Sequence, residues 1–177
     1  MKIETKRLML RPVEEGDADA IFRYLNDPDV TYNLLGHSPT REETLSMIAK
    51  WIDAFENRTA FTMGVTKKED NVVMGICALL RVSWEHLHAE LVYWLGKEYW
   101  GKGYMTEAVQ AMLNFGFKHL GLERIEAGCF TRNTASRRVL EKVGFKYEGC
   151  ARHKYFKDGE FLDEYRFAIL RQEYSHD

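Results

Sequence analysis

The sequence predicts an α+β domain of three layers, with helices on both faces of a central, mostly antiparallel mixed sheet of about seven strands. Three observations carry that expectation. Apolar positions recur with period two in some segments and with helical spacing in others, in the order β-α-α-β-β-β-α-β-α-β-β. The three middle strands follow one another through short polar turns, as in an antiparallel meander. Two later strands are each reached through a helix, which implies mixed strand directions.

The first strand, Thr5 to Arg11, sets Leu8 and Leu10 against Arg7, Met9 and Arg11 and ends at Pro12. Gly16-Asp17 opens a helix whose apolar face is Ala18, Ile21, Phe22 and Leu25, and Pro28 stops it. Val30 to Ser38 reads as irregular. Thr40-Arg41-Glu42-Glu43 is a capping-box pattern, and the helix behind it carries Leu45, Ile48, Ile52 and Phe55. The meander strands run from about 60 to 66, 72 to 82 and 89 to 95. A glycine-bearing loop from Gly96 to Gly103 leads to a helix with Met105, Ala108, Val109, Met112 and Leu113 on one side. Leu122 to Phe130 is a strand, and Asn133 to Val143 a helix stopped by Gly144. Asp158-Gly159 turns a closing hairpin.

Composition narrows the function. The 177 residues, 45% apolar, suit a single domain over 1–177 with a full core. A net charge of −2 gives no bulk attraction to nucleic acid or an anionic membrane, so anion binding has to be local. No apolar run reaches the roughly 18 residues of a membrane span, and the start has no signal-like apolar core. Cys77, Cys129 and Cys150 are odd in number, lack metal spacing and sit in apolar runs. They read as buried free thiols of a reducing cytoplasm.

Two segments carry chemistry. Trp100-Gly101-Lys102-Gly103-Tyr104-Met105 joins a strand to a helix start. Glycines let backbone amides approach a ligand, and the first helical turn has free donors, so the pair suits phosphate oxygens as well as a plain tight turn. Gly96 to Gly103 nearly matches the triphosphate motif G-x-x-x-x-G-K-[ST], but Gly103 has no hydroxyl for Mg²⁺. The second segment is Asn133-Thr134-Ala135-Ser136 with Glu141-Lys142-Val143-Gly144-Phe145 behind it. Asn133 suits a helix cap, and Ser136 lies one turn on. Arg132, Arg137, Arg138 and Lys142 around them suit either a polyanion or a solvated helix face. On the strand feeding the loop, Glu90 shares a face with Val92 and Trp94; apolar neighbours there would desolvate a general base, whereas Arg81 would make it an ion pair.

Together the two segments resemble the GNAT N-acetyltransferase superfamily, in particular its Rim-type branch of ribosomal-protein N-terminal acetyltransferases, from about Lys6 to Arg171. The resemblance implies that Trp100, Gly101, Lys102, Gly103, Tyr104 and Met105 hold the pyrophosphate of acetyl-CoA. Trp94 and Leu95 would pair with the pantetheine amides as an added strand, and Asn133, Ser136 and Lys142 would complete the cofactor site. Met105 stands where the family has a small residue. Many members carry an acid Tyr at the Leu140 position, so Ser136 becomes the candidate acid here. The expected catalytic residues are Glu90 as base, with Asn133 and Ser136; an amide near Val92 or Tyr93 would serve the carbonyl oxygen. No metal is called for.

The acceptor implied by the branch is a protein N-terminal amine. The alternatives are a small amine (polyamine, antibiotic or amino acid) and a non-catalytic acyl-CoA-binding module. Glu14, Glu15, Asp17, Asp19, Asp27 and Asp29 hint at cationic acceptors or merely solubilise a helix. Trp84, Tyr32 to His37, His86 and His88 are candidate walls or proton relays of the acceptor pocket, while Tyr155, Phe156, Phe161, Tyr165 and Phe167 read as sheet packing. A homodimer is compatible with the resemblance.

Overall fold

The computed structural model describes residues 1–174. Among the described residues eight strands, numbered along the chain, form one sheet in the order β1-β2-β3-β4-β5-β6-β8-β7. The eighth is the short β1 (Ile3–Glu4), which pairs with β2 (Leu8–Pro12) and was too brief to show a period. The helices are α1 (Ala18–Leu25), α2 (Pro28–Thr31) and α3 (Arg41–Glu56). The meander is β3 (Phe61–Lys67), β4 (Val73–Ser83) and β5 (His88–Leu95), all antiparallel neighbours. Then come α4 (Tyr104–Asn114), β6 (Arg124–Phe130), α5 (Thr134–Lys142), β7 (Lys146–Lys157) and β8 (Glu160–Leu170).

Local chemistry explains most of these elements. Thr40 Oγ1 accepts from the Glu43 amide at 3.1 Å and Glu43 Oε2 accepts from the Thr40 amide at 2.7 Å, which is the expected capping box on α3. Gly144 ends α5 at φ +101°, and the Phe145 amide reaches back to the Leu140 carbonyl at 2.9 Å. Asp158 and Gly159 both have positive φ, the geometry that continues the twist of β7 into β8. The stretch after Val30, expected to be irregular, begins inside α2: Asp27 accepts from the Asp29 amide, and Pro28 occupies the first helical position.

Two cores flank the sheet. On one face Met105, Val109, Met112 and Leu113 of α4 pack with Leu8, Leu10, Met63, Leu79 and Leu91. On the other, Ala18, Ile21 and Ile48 of α1 and α3 cover Ile76 and Ala78, with Val92 and Trp94 at the margin. Alternate residues of β4 serve opposite cores, so a strand buried on both faces reads as one apolar run. Cys77 and Cys129 are buried, but Cys150 is exposed: it lies on β7, at the edge of the sheet with β8 as its one neighbour. No helix among the described residues is long and apolar enough to cross a membrane.

The pairing of β5 with β6 positions the site. This parallel pair holds only from His88↔Arg124 to Glu90↔Glu126; beyond it β6 continues against β8 alone. The strands part there, leaving the edge of β5 from Leu91 to Leu95 open.

Candidate active site

Ladder parity decides which groups on that edge are free. The Gly96 amide donates to the Met74 carbonyl at 2.8 Å, so Trp94 and Val92, two and four residues back, also turn their amides toward β4. Leu91, Tyr93 and Leu95 turn theirs into the gap. Of the expected strand groups, Leu95 therefore faces the opening and Trp94 does not; of the two oxyanion candidates, only the Tyr93 amide does. The Leu95 carbonyl accepts from the Trp100 indole at 2.7 Å, which ties the glycine loop to the strand end.

Gly101 and Gly103 sit at φ +70° and +78°, and Gly103 is the residue from which α4 starts. A Cβ at Gly101 would meet nothing, so the backbone conformation, rather than space, calls for glycine there. Arg7 braces the loop: its Nη1 donates to the Lys102 carbonyl at 2.8 Å, and its Nε and amide donate to Glu107 at 2.7 and 2.8 Å. Glu107 also accepts from the Thr5 hydroxyl. Burial opposes its ionisation, but Thr5 and Arg7 outweigh that and hold its pKa below the usual carboxylate range. Nothing in the loop motif signalled Arg7, because the brace comes from the bend just before β2.

Along this edge runs a crevice of about 430 Å³, lined by Trp94, Leu95, Trp100, Gly101, Gly103, Tyr104 and Met105 from β5 and the loop, and by Asn133, Ser136 and Arg138 from α5. The Lys102 side chain folds back to the Glu98 carbonyl at 2.9 Å and does not line it. Lys142 does not either: at the last turn of α5 it lines a separate hollow beside Glu107 and Asn114. Nine residues of helix carry it away from the cap end where Asn133 and Ser136 sit. Of the other expected cations, Arg137 pairs with Glu141 and Arg132 with Glu160.

A second cavity, about 710 Å³, opens on the opposite side of β5 among α1, α3, β6 and β8. Glu90 lines it, on the same face as Val92 and Trp94 as expected. Its surroundings are not apolar, however. Arg81, thrown out by a bulge of β4 at φ +49°, pairs with it, and Arg166 Nη1 lies 3.9 Å away. Glu164 lies in the same wall, held by Lys154 at 2.7 Å and Arg166 at 2.8 Å. Glu164 and Arg166 approach β6 closely because position 128 is glycine: a Cβ there would come within 2.5 Å of Glu164 and 2.7 Å of Arg166. Asn33 to His37 and Tyr155 line the cavity, whereas Trp84, His86 and His88 do not. Trp84 instead donates to the Arg58 carbonyl, and the two histidines stack on each other at the start of β5. None of the six acidic residues of the N-terminal region faces this cavity; Asp17 is spent on Arg11 and Asp29 on Lys97. Phe156 and Phe161, expected in sheet packing, are exposed at the tip of the hairpin.

The two cavities share Asn33, Leu34, Tyr93, Trp94, Asn133 and Ser136. Asn133 Oδ1 accepts from the Ser136 amide at 3.1 Å, which holds the side chain at the cap and leaves Nδ2 to donate to a ligand. Ser136 Oγ lies 2.8 Å from the Tyr93 hydroxyl. The Leu140 side chain is fully buried in the core and lines neither cavity. Burial pushes the Cys129 thiol up to about 11, so it is protonated at neutral pH and unsuited to nucleophilic attack.

Residues 7–146 match the acetyltransferase (GNAT) domain family. The chain belongs to that family. It is 36% identical to the uncharacterized N-acetyltransferase p20 of Bacillus licheniformis over 97% of both chains. It is 26% identical to the ribosomal protein uS5-alanine N-acetyltransferase of Escherichia coli, over 99% of this chain and 93% of that one. Among solved structures, RimL, a ribosomal alpha-N-protein acetyltransferase in complex with coenzyme A, superposes with a TM-score of 0.89 at 20% identity, covering 96% of this chain and 98% of that one. The chain is thus an N-acetyltransferase of the GNAT family, and the Rim-type resemblance in its motifs agrees with these relatives.

Proposed function

We propose that residues 1–177 act as one acetyltransferase domain that transfers an acetyl group from acetyl-CoA to a protein N-terminal amine by direct attack in a ternary complex. The observation that carries this reading is the meeting of two cavities from opposite sides of β5 at Tyr93, Trp94, Asn133 and Ser136. One offers a free strand edge and a glycine loop and fits a long donor; the other gathers side chains from several elements and fits an acceptor. Acetyl-CoA supplies the activated acetyl group as a thioester.

The chain's own residues do the rest. Amides at Gly101 to Met105 and the start of α4 receive the diphosphate. The open edge at Leu95 and Tyr93 pairs with the amides of the pantetheine arm, and the Tyr93 N–H meets the carbonyl oxygen as charge builds on it. Asn133 Nδ2 orients the acyl end. Glu90 takes the proton of the attacking amine, directly or through one water, because an ammonium has no lone pair. Ser136 donates a hydrogen bond to the departing sulfur.

A protein N-terminus is favoured over a polyamine or aminoglycoside because the two buried carboxylates of the acceptor wall already face Arg81, Arg166 and Lys154. Neither of those two carboxylates offers a polycation an unmatched charge. The relative acting on uS5 points the same way. Unbridged cysteines fit a cytoplasmic setting.

Thiol release from acetyl-CoA, measured with N-terminal peptides, polyamines, aminoglycosides and amino acids, tests the assignment. Turnover is expected with peptides, and Glu90→Gln is expected to lower it by about 10²-fold and remove the acid limb of the rate profile. Turnover with polyamines alone would move the acceptor to the small-amine class. CoA binding without turnover on any amine would leave only a binding module.

A further inference from the structure

We propose that Tyr93 is a positioning residue for acyl transfer: its hydroxyl holds that of Ser136 so that the serine hydrogen points into the donor crevice. This rests on the acetyl-transfer reading above, and it assigns a role to a side chain that the Asn-x-x-Ser motif does not include.

The geometry is specific. Tyr93 Oη lies 2.8 Å from Ser136 Oγ and 3.2 Å from the Ser136 carbonyl oxygen. The phenol has one hydrogen and both neighbouring atoms accept, the hydroxyl being the nearer. Burial pushes the phenol pKa up, outweighing the bond to Ser136, so the hydrogen stays on it throughout the working pH range. In the proposed arrangement that hydrogen goes to the nearer acceptor, Ser136 Oγ, which leaves the serine hydrogen for a ligand. The serine backbone is fixed as well, since its amide is held by Asn133 at 3.1 Å. Remove the phenol oxygen, and the serine hydroxyl is free to turn back onto the Asn133 carbonyl, three residues earlier at the cap of its helix. The Leu140 position lies in the core, so the hydroxyls at the junction come from Ser136 and from β5 instead.

In this role Tyr93 neither gains nor loses a proton. The C–N bond forms, the C–S bond breaks, and the leaving sulfur keeps its electron pair against the Ser136 hydrogen bond. The amine proton goes to Glu90 or water.

A double-mutant cycle tests the proposal, with wild-type thiol release on a peptide acceptor as the reference. Tyr93→Phe is expected to lower kcat about tenfold with the acetyl-CoA KM changed less than about twofold. Ser136→Ala is expected to lose as much or more, and adding Tyr93→Phe to it should cost nothing further. A readout without turnover accompanies the cycle: calorimetric binding of CoA and desulfo-CoA at alkaline pH, where the thiol ionises. The wild type should prefer CoA by about tenfold, and Tyr93→Phe should lose most of that preference. Losses that multiply in the double variant, a Ser136→Ala chain with wild-type kcat, or an unchanged CoA preference in Tyr93→Phe would each overturn the role while leaving acetyl transfer standing. A wild type that releases no thiol with any amine would overturn both.

Discussion

The crevice on one side of β5 and the cavity on the other meet at the same residues, yet they are built from different materials. The crevice is framed by backbone features, two glycines at positive φ, the first turn of α4, and the edge that β5 exposes once β6 turns away, with side chains such as Val30, Leu34 and Val139 completing it. The cavity is side chains drawn from α1, α3, β5, β6 and β8, and its two buried carboxylates are already matched by cations. A donor gripped by amides makes few demands on side-chain identity, so a family can keep one donor and change acceptors. Acceptor choice then resides in contacts between residues far apart in the chain.

Substitutions confined to one side sharpen that division. The largest effect is expected from Gly103→Val, which forces a β-branched residue into the left-handed region and distorts the loop amides. The kcat/KM for acetyl-CoA should fall by about 10- to 100-fold. The acceptor KM should not change; if it rises in parallel, the two sides are not separable. A smaller effect is expected from Arg132→Ala. Arg132 ties the acceptor walls together, donating to the Tyr32 carbonyl at 2.6 Å and pairing with Glu160 at 2.6 Å while lying over the Tyr32 ring at 3.8 Å. Its loss should raise the acceptor KM roughly three- to tenfold and spare the donor KM. An unchanged acceptor KM would show that the segment after α2 holds without this clasp.

The contrast also accounts for what the sequence made legible. The glycine loop, the Asn133 cap, the capping box of α3 and the Asp158-Gly159 turn depend on neighbours within a few residues, and each has its expected form. Arg7 against Glu107 and Tyr93 against Ser136 depend on contacts between distant elements, which no local pattern encodes, and the bulge of β4 decides between the two settings the sequence left open for Glu90 in favour of the Arg81 pair. Lys142 lies outside the crevice for the complementary reason. It belongs to the same local pattern as Asn133, but the length of α5 separates the two in space.

The smallest expected effect is one of pH on stability. Burial opposes ionisation of Glu164, but Lys154 and Arg166 outweigh it and lower its folded pKa. A lowered folded value contributes stability above the unfolded pKa of about 4.3, lost as pH falls through the folded value. Thermal melting of the wild type should therefore decline below about pH 4.3, and Glu164→Gln should decline less steeply. Equal slopes would place the acid sensitivity elsewhere.

The division between a backbone grip and a side-chain pocket is tested most directly by amide NMR during titration with CoA alone. Shifts should concentrate at Gly101, Gly103, Tyr104, Leu95 and Tyr93, leaving His37 and Tyr155 across β5 near their starting values. Shifts centred on the acceptor wall, with the Gly101–Tyr104 amides unmoved, would contradict it.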